Sequence, residues 1–325
     1  MSEHPRDRFD LVPDAAAEAA FLDAFDKRRL HHAWLLCGVE GSGKATFAYR
    51  AARRLLGAAA DPSRGLLGTR PDDPVARLVS AQSHPDLLVL ERAVEGGKTK
   101  KSISVDQARD LPEFFSKSPS RAKYRVAIID AADDLNLNAA NALLKVLEEP
   151  PERGVLFLVA HAPGRLLATI RSRCRRLAFP VWPQHALEEM VRNRTGVPSA
   201  EAARIAGMAA GSPGRALALA SGATLEADRL AQAWVAAPDL DRAEVMAVAD
   251  KFRGAEGQER FETLMDRLIA AVKLRALEEG RSGARWAELW ERLSGLPDRA
   301  AAINLDRADV LAGALADLQR TKARA

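Results

Sequence analysis

The sequence predicts an α/β fold: a phosphate-binding domain built on a parallel sheet, then a small helical domain, then an all-α domain. Three observations predict it. Trp34 to Cys37 is a short apolar run, Gly38 to Ala45 reads GVEGSGKA, and a helical pattern follows from Thr46 to Leu56. Strand, glycine loop and helix in that order are what a phosphate-binding loop requires. Further apolar runs at Asp86 to Leu90, Arg125 to Asp130 and Val155 to Val159 alternate with helical patterns, which argues for parallel strands covered by helices. After Pro180 and Pro183 the strand signal ends. The expected divisions are residues 1–180, 181–222 and 223–325, and 325 residues suit two or three domains.

Taken in order, residues 1–13 read as a loose arm. Residues 15–30 carry Ala16, Ala20, Phe21, Ala24 and Phe25 at helical spacing. Residues 57–85, rich in Gly, Pro, Asp and Arg, read as an irregular insertion, and Glu95 to Lys101 (EGGKTKK) as a mobile basic loop. Val105 to Phe115 is an expected helix with Asp106 in its first turn. Asn136 or Asn138 can cap the next helix, whose buried stripe is Ala140, Leu143, Leu144 and Leu147 and whose stop is Pro150-Pro151. Arg165 to Arg171 is a short helix, and Arg175 to Phe179 leads into a last strand. Residues 184–222 suggest three short helices, with Ser199 capping the middle one. Beyond them Phe261, Leu264, Met265, Leu268 and Val272 form one stripe, Trp286, Leu289, Trp290 and Leu293 another, and Leu311, Leu315 and Leu318 a third. They suit a bundle core, or one face packed on a partner.

Composition excludes several classes. Apolar residues make up 47%, enough for a sizeable core, and charged residues 28%. No apolar run approaches the ~18 residues of a membrane span, and the polar N-terminus is unlike a signal peptide. A cytoplasmic protein without a membrane partner is expected. Two cysteines, Cys37 and Cys174, exclude a disulfide framework. No Cys/His cluster has zinc spacing, so no zinc is expected. A net charge of +4 permits a local nucleic-acid contact without demanding one.

The residues that could carry chemistry are unevenly preserved. Gly38, Gly41 and Gly43 permit the loop path that aims backbone N–H groups at phosphates, Ser42 lies within it, and Lys44 supplies the charge. Ala45 stands where a Ser or Thr hydroxyl should meet Mg²⁺. Thr46 is one residue late, turned about 100° away on a helix. Asp130 ends a strand where it could hold Mg²⁺ through water, but Ala131 stands where a hydrolytic Glu belongs. The loop is therefore expected to bind ATP without efficient hydrolysis, or to be a structural glycine turn left from an ancestral site. Asp133 and Asp134 read as solvated loop acids and His161 as a surface histidine. In Arg171-Ser172-Arg173-Cys174-Arg175-Arg176, Arg173 sits at a helix end where it can point toward a neighbour. The alternatives are a solvated basic turn and a DNA-phosphate contact.

Four blocks carry a family resemblance: RLHHAWLLCGVEGSGKATFAYRAARRLL (Arg29 to Leu56), SHPDLLVLE (Ser83 to Glu91), NALLKVLEEPPE (Asn141 to Glu152) and RLLATIRSRCRRL (Arg165 to Leu177). Together they resemble the delta-prime subunits of bacterial DNA polymerase III clamp loaders, and GSPGRALAL (Gly211 to Leu219) extends the likeness. The resemblance implies an AAA+ ATPase-like domain, a helical lid and a helical collar in a five-subunit ring. It implies motor subunits (gamma/tau) and a delta subunit as partners, with the sliding clamp and primed DNA reached through the complex. It makes Arg173, flanked by Ser172 and Cys174, the arginine finger acting in trans on a neighbour's ATP, a device worth roughly 10³ to 10⁵ in rate where it has been assessed. Three departures stand out. Residues 57–85 lack the family's four zinc cysteines, Gly214 occupies the lid sensor position with Arg215 beside it, and Ala45 and Ala131 replace hydrolytic groups. The alternatives are an ATP-hydrolysing motor subunit of the same loader and a sequence-independent DNA-binding module.

Overall fold

The computed structural model describes residues 4–10, 14–95, 98–100, 102–220, 222–254, 257–302 and 305–323. It divides into two units, Met1–Leu217 and Ala218–Ala325.

The first unit begins with α1 (Ala15–Asp26), β1 (Ala33–Cys37), α2 (Lys44–Leu55) and α3 (Pro74–Ser80). β2 (Leu87–Glu91), β3 (Val94–Glu95), β4 (Lys98–Thr99), α4 (Val105–Ser116) and β5 (Arg125–Asp130) follow. Then come α5 (Leu137–Glu148), β6 (Gly154–Ala160), α6 (Ala168–Arg171) and β7 (Arg175–Ala178). The main sheet is parallel, in the order β2-β5-β6-β1-β7. Its register follows the period of two that strand geometry imposes. Trp34 and Leu36 of β1, Val126 and Ile128 of β5, and Val155, Phe157 and Val159 of β6 face one core, shared with α1 and α2. Leu35 and Cys37, Ala127 and Ile129, and Leu156 and Leu158 face the other, shared with α4 and α5. The first core centres on Phe21, with ring centroids 5.2 Å from Trp34, 5.8 Å from Phe47 and 5.7 Å from Phe157. Such strands read as apolar runs because both faces are covered.

Local sequence explains the helix ends. Ser104 and Gln107 form a reciprocal capping box on α4. Asn136, rather than Asn138, caps α5 by accepting the Ala139 N–H at 2.9 Å. The Asp86 carboxylate of the HPDL block accepts the N–H groups of Ser120, Arg121 and Ala122 at 2.7 to 2.9 Å, fixing the turn into β5.

Several expectations need correction. The described part of the arm, residues 4–10, is docked: Arg50 donates to the Phe9 carbonyl at 3.0 Å, and the Arg53 guanidinium lies 3.8 Å from the Phe9 ring centroid. Residues 1–3 and 11–13 lie outside the described residues. The insertion is ordered around α3 and a buried Leu67, and is stapled by a buried ion pair. Arg50 Nε meets Glu18 Oε1 at 2.6 Å, Glu18 Oε2 accepts the Leu67 N–H at 2.9 Å, and Arg50 reaches the Arg64 carbonyl at 2.6 Å. In the EGGKTKK segment β3 and β4 pair antiparallel; Gly96, Gly97 and Lys101 lie outside the described residues. Ser199 is the first helical residue of its helix rather than the cap, a position taken by Pro198.

The small helices complete this unit: α7 (Gln184–Thr195), α8 (Ser199–Met208) and α9 (Pro213–Leu219), the last running just past its boundary. The second unit is helical: α10 (Gly222–Ala236), α11 (Arg242–Asp250), α12 (Gly257–Glu279), α13 (Ala284–Ser294), α14 (Leu296–Ala302) and α15 (Arg307–Lys322). The three apolar stripes read from the sequence converge in one core of its own, with Trp290 at the margin.

Candidate functional site

The glycine loop joins β1 to α2. Gly41 and Gly43 take φ values of +73° and +93°, a left-handed backbone that suits glycine. Gly43 sits at the N-cap of α2 without a side-chain cap. Lys44 is 2% exposed, and its ammonium donates to the Gly38 and Val39 carbonyls at 2.7 and 2.6 Å, with Ser42 Oγ at 3.4 Å. Burial pulls its pKa down to about 8, against the opposing pull of Asp130 and Asp133. The loop's own carbonyls therefore satisfy the charge a phosphate would meet.

Asp130 ends β5 beside Glu91 of β2. Burial, then the Glu91 charge, push its carboxyl up to about 6, and Lys44 opposes them. Ala45 packs at the margin of the first core, and Ala131 is buried after Asp130, so methyl groups occupy both hydrolytic positions. Thr46 is buried as well, turned into the fold as its place in the helix predicts. Asp133 is not a solvated acid: it accepts the backbone N–H groups of His161 and Ala162, tying the end of β5 to the end of β6. Asp134 pairs with Arg92 at 3.2 Å. His161 is exposed, and its pKa is lowered by partial burial and by Lys44.

Sequence reasoning missed a contact on the loop's tip. Ser212 Oγ donates to the Glu40 carbonyl at 2.7 Å and accepts the Arg215 N–H at 3.2 Å, while the Gly214 N–H donates to the Gly41 carbonyl at 2.8 Å. A Cβ at Gly214 would stand 2.8 Å from Gly41 Cα, so glycine is required by close backbone approach. The first turn of α9 thus rests on the phosphate-binding loop. The signal was present in GSPG, where Ser and Gly flank a helix-starting Pro.

Arg173 lies just beyond α6. It donates to the Thr169 carbonyl at 3.0 Å and pairs with Glu148 Oε1, at the end of α5, at 3.0 Å; its side chain remains 37% exposed. Ser172 Oγ donates to the same Thr169 carbonyl at 3.1 Å. Cys174 packs at the edge of the second core, and burial pushes its thiol up to about 12. The neighbouring arginines are engaged differently. Arg171 donates to the carbonyls of Pro163, Gly164 and Leu166, and the Arg175 guanidinium lies 4.9 Å from the Trp34 ring centroid. Arg173 is thus tied by an ion pair to the end of α5 while its side chain stays partly exposed.

Among the described residues no group of three or more His, Cys, Asp or Glu side chains is placed to hold a metal ion, and no helix is long and apolar enough to cross a membrane.

A family model described as DNA polymerase III, delta subunit, matches residues 14–182. The delta-prime subunit of DNA polymerase III from Pseudomonas aeruginosa is 38% identical over 183 residues, 56% of this chain and 53% of that one. That from Yersinia pestis is 30% identical over 259 residues, 75% and 71% of the two chains. The gamma/tau subunit from Mycobacterium tuberculosis is 32% identical over 182 residues, 56% of this chain and 30% of that one. The matched part of the chain thus spans about half the length of the first of these relatives. A gamma-subunit-related protein of DNA polymerase III from Thermotoga maritima has a similar fold, with a TM-score of 0.52 at 16% identity, covering 94% of this chain and 99% of that one.

Proposed function

The chain belongs to the family described as DNA polymerase III, delta subunit, and from that premise we propose that it is a delta-prime-type subunit of a clamp loader that does not itself hydrolyse ATP. Its fold is the AAA+ arrangement, a parallel sheet followed by helical parts. In this reading residues 1–180 are the ATPase-like domain, 181–222 the lid and 223–325 the collar that joins the ring. Its partners are gamma/tau motor subunits and a delta subunit, and the sliding clamp and primed DNA are reached through the complex.

The observation that carries the proposal is a site with its binding half intact and its hydrolytic half missing. The glycine path and Lys44 are present, while Ala45 and Ala131 put methyl groups where magnesium coordination and water orientation need oxygen. The loop can still take ATP once Lys44 releases the Gly38 and Val39 carbonyls, but turnover there has no base and no direct hydroxyl ligand for the metal. The subunit's contribution to hydrolysis is Arg173, offered to ATP on a neighbour. A guanidinium fork stabilises charge on the transferring phosphoryl group. The competing reading, a motor subunit, draws on the likeness to gamma/tau; the two alanines count against it. The purified chain should show negligible ATP turnover with Mg²⁺. Turnover near one per second (about the low end for phosphoryl-transferring kinases), abolished by Lys44→Ala, would favour the motor reading instead.

A further inference from the structure

Arg173 must be aimed before a neighbour's phosphate can use it, and its chain neighbours alone do not aim it. An arginine side chain has many rotamers to lose, and the four-residue helix α6 offers only the Thr169 carbonyl as an anchor. The second anchor comes from another element. Glu148 closes α5, and its Oε1 meets Arg173 Nη2 at 3.0 Å while Nη1 is held by Thr169. Two terminal nitrogens are thus held from two elements, while the side chain stays partly exposed. The pair is open, with side chains 37% and 52% exposed, so it adds little to stability. Its value lies in direction.

We infer that Glu148 is a positioning residue that presents Arg173 to ATP bound on an adjacent subunit, an inference that rests on the trans-acting role proposed for Arg173. Glu148 touches neither nucleotide nor reacting atoms. It acts by restricting the guanidinium to the orientation a phosphate meets, and loss of such pre-alignment lowers the rate of the chemical step rather than nucleotide affinity. Glu149 is the natural control: it is the next residue, equally acidic and also exposed.

The test uses the assembled loader with clamp and primed DNA, measuring kcat and KM for ATP with this chain substituted. Glu148→Ala should lower kcat about three- to tenfold with KM and ring assembly unchanged, a loss suited to misalignment by a fraction of an ångström. Glu148→Gln should recover most of it, because an amide oxygen accepts the same N–H. Glu149→Ala should match the unsubstituted complex. Glu148→Ala added to Arg173→Ala should cost nothing further, since residues acting through one group are not additive. If Arg173→Ala lowers kcat and Glu148→Ala leaves it unchanged or raises it, the positioning role is overturned while the trans role stands. A Glu148→Ala loss that adds in full to that of Arg173→Ala also overturns it. If Arg173→Ala has no effect, the trans role itself fails.

Discussion

Glu18→Ala tests how the first unit is held together. Glu18 and Arg50 are 0% and 1% exposed and meet at 2.6 Å, and the second Glu18 oxygen accepts the Leu67 N–H at 2.9 Å. The substitution leaves a buried guanidinium without its carboxylate and a buried N–H without its acceptor. Breaking a buried pair from one side costs about 3–5 kcal/mol, and an orphaned buried donor about 1–3 kcal/mol. Arg50 keeps the carbonyls of Phe9 and Arg64, which offsets part of this, so about 4 kcal/mol is expected. At ~2–4 °C per kcal/mol for a unit of about 150–250 residues, melting should fall by roughly 8–16 °C. Hydrogen exchange in urea reads it locally: α2 peptides should open at lower urea, and α12 peptides in the other unit should not move. Replacing both residues by Met should recover at least half of the loss, because no charge is then left buried. A shift under about 1 kcal/mol for Glu18→Ala would refute the staple.

Two predictions concern the nucleotide site. Ser212→Ala removes the one side-chain bond from the start of α9 to the loop, at the Glu40 carbonyl, and leaves the Gly214–Gly41 backbone bond; weakening that closed arrangement by about 1 kcal/mol should raise apparent ATP affinity about fivefold. Titration with a fluorescent ATP analogue checks this, and an unchanged or weaker affinity would mean that the contact does not gate the loop. For Asp130 the folded pKa is raised, to about 6, above the ~3.9 of an unfolded chain. An acid raised in this way costs stability as pH climbs from about 4 through 6, and the full cost persists above. Asp130→Asn should therefore stabilise by about 1–3 kcal/mol at pH 8 and by little at pH 4. Equal effects at both pH values in urea titrations would remove the carboxylate's burial as the cause.

The sheet was legible because its strands are buried on both faces and leave unbroken apolar runs, and because the glycine loop fixes which strand precedes which helix. Lys44, Ala45, Asp130 and Ala131 could be placed by spacing alone, since loop and strand end are local features. What escaped sequence reading depends on contacts between distant segments. Arg50 looks like any basic residue on an amphipathic helix until Glu18, Phe9 and Arg64 are seen around it. Asp133 reads as a loop acid because its two N–H donors lie 28 and 29 residues on. Glu148 sits in a run of exposed acids, and only the fold brings it to Arg173. The arm and insertion looked irregular because backbone carbonyls, invisible in side-chain patterns, are what Arg50 and Arg53 hold.

The central claim is that this subunit assists hydrolysis without performing it, and two substitutions in one reconstituted loader test it most directly. Steady-state ATPase with clamp and primed DNA should be nearly unchanged by Lys44→Ala in this chain, because no turnover occurs at its own loop. Arg173→Ala in the same chain should lower it at least tenfold at the site it serves, a modest fraction of what a trans arginine can contribute. Assembly, followed by co-purification, should be intact for both. The opposite pattern, activity lost with Lys44→Ala and kept with Arg173→Ala, would contradict the account and make the chain a motor subunit.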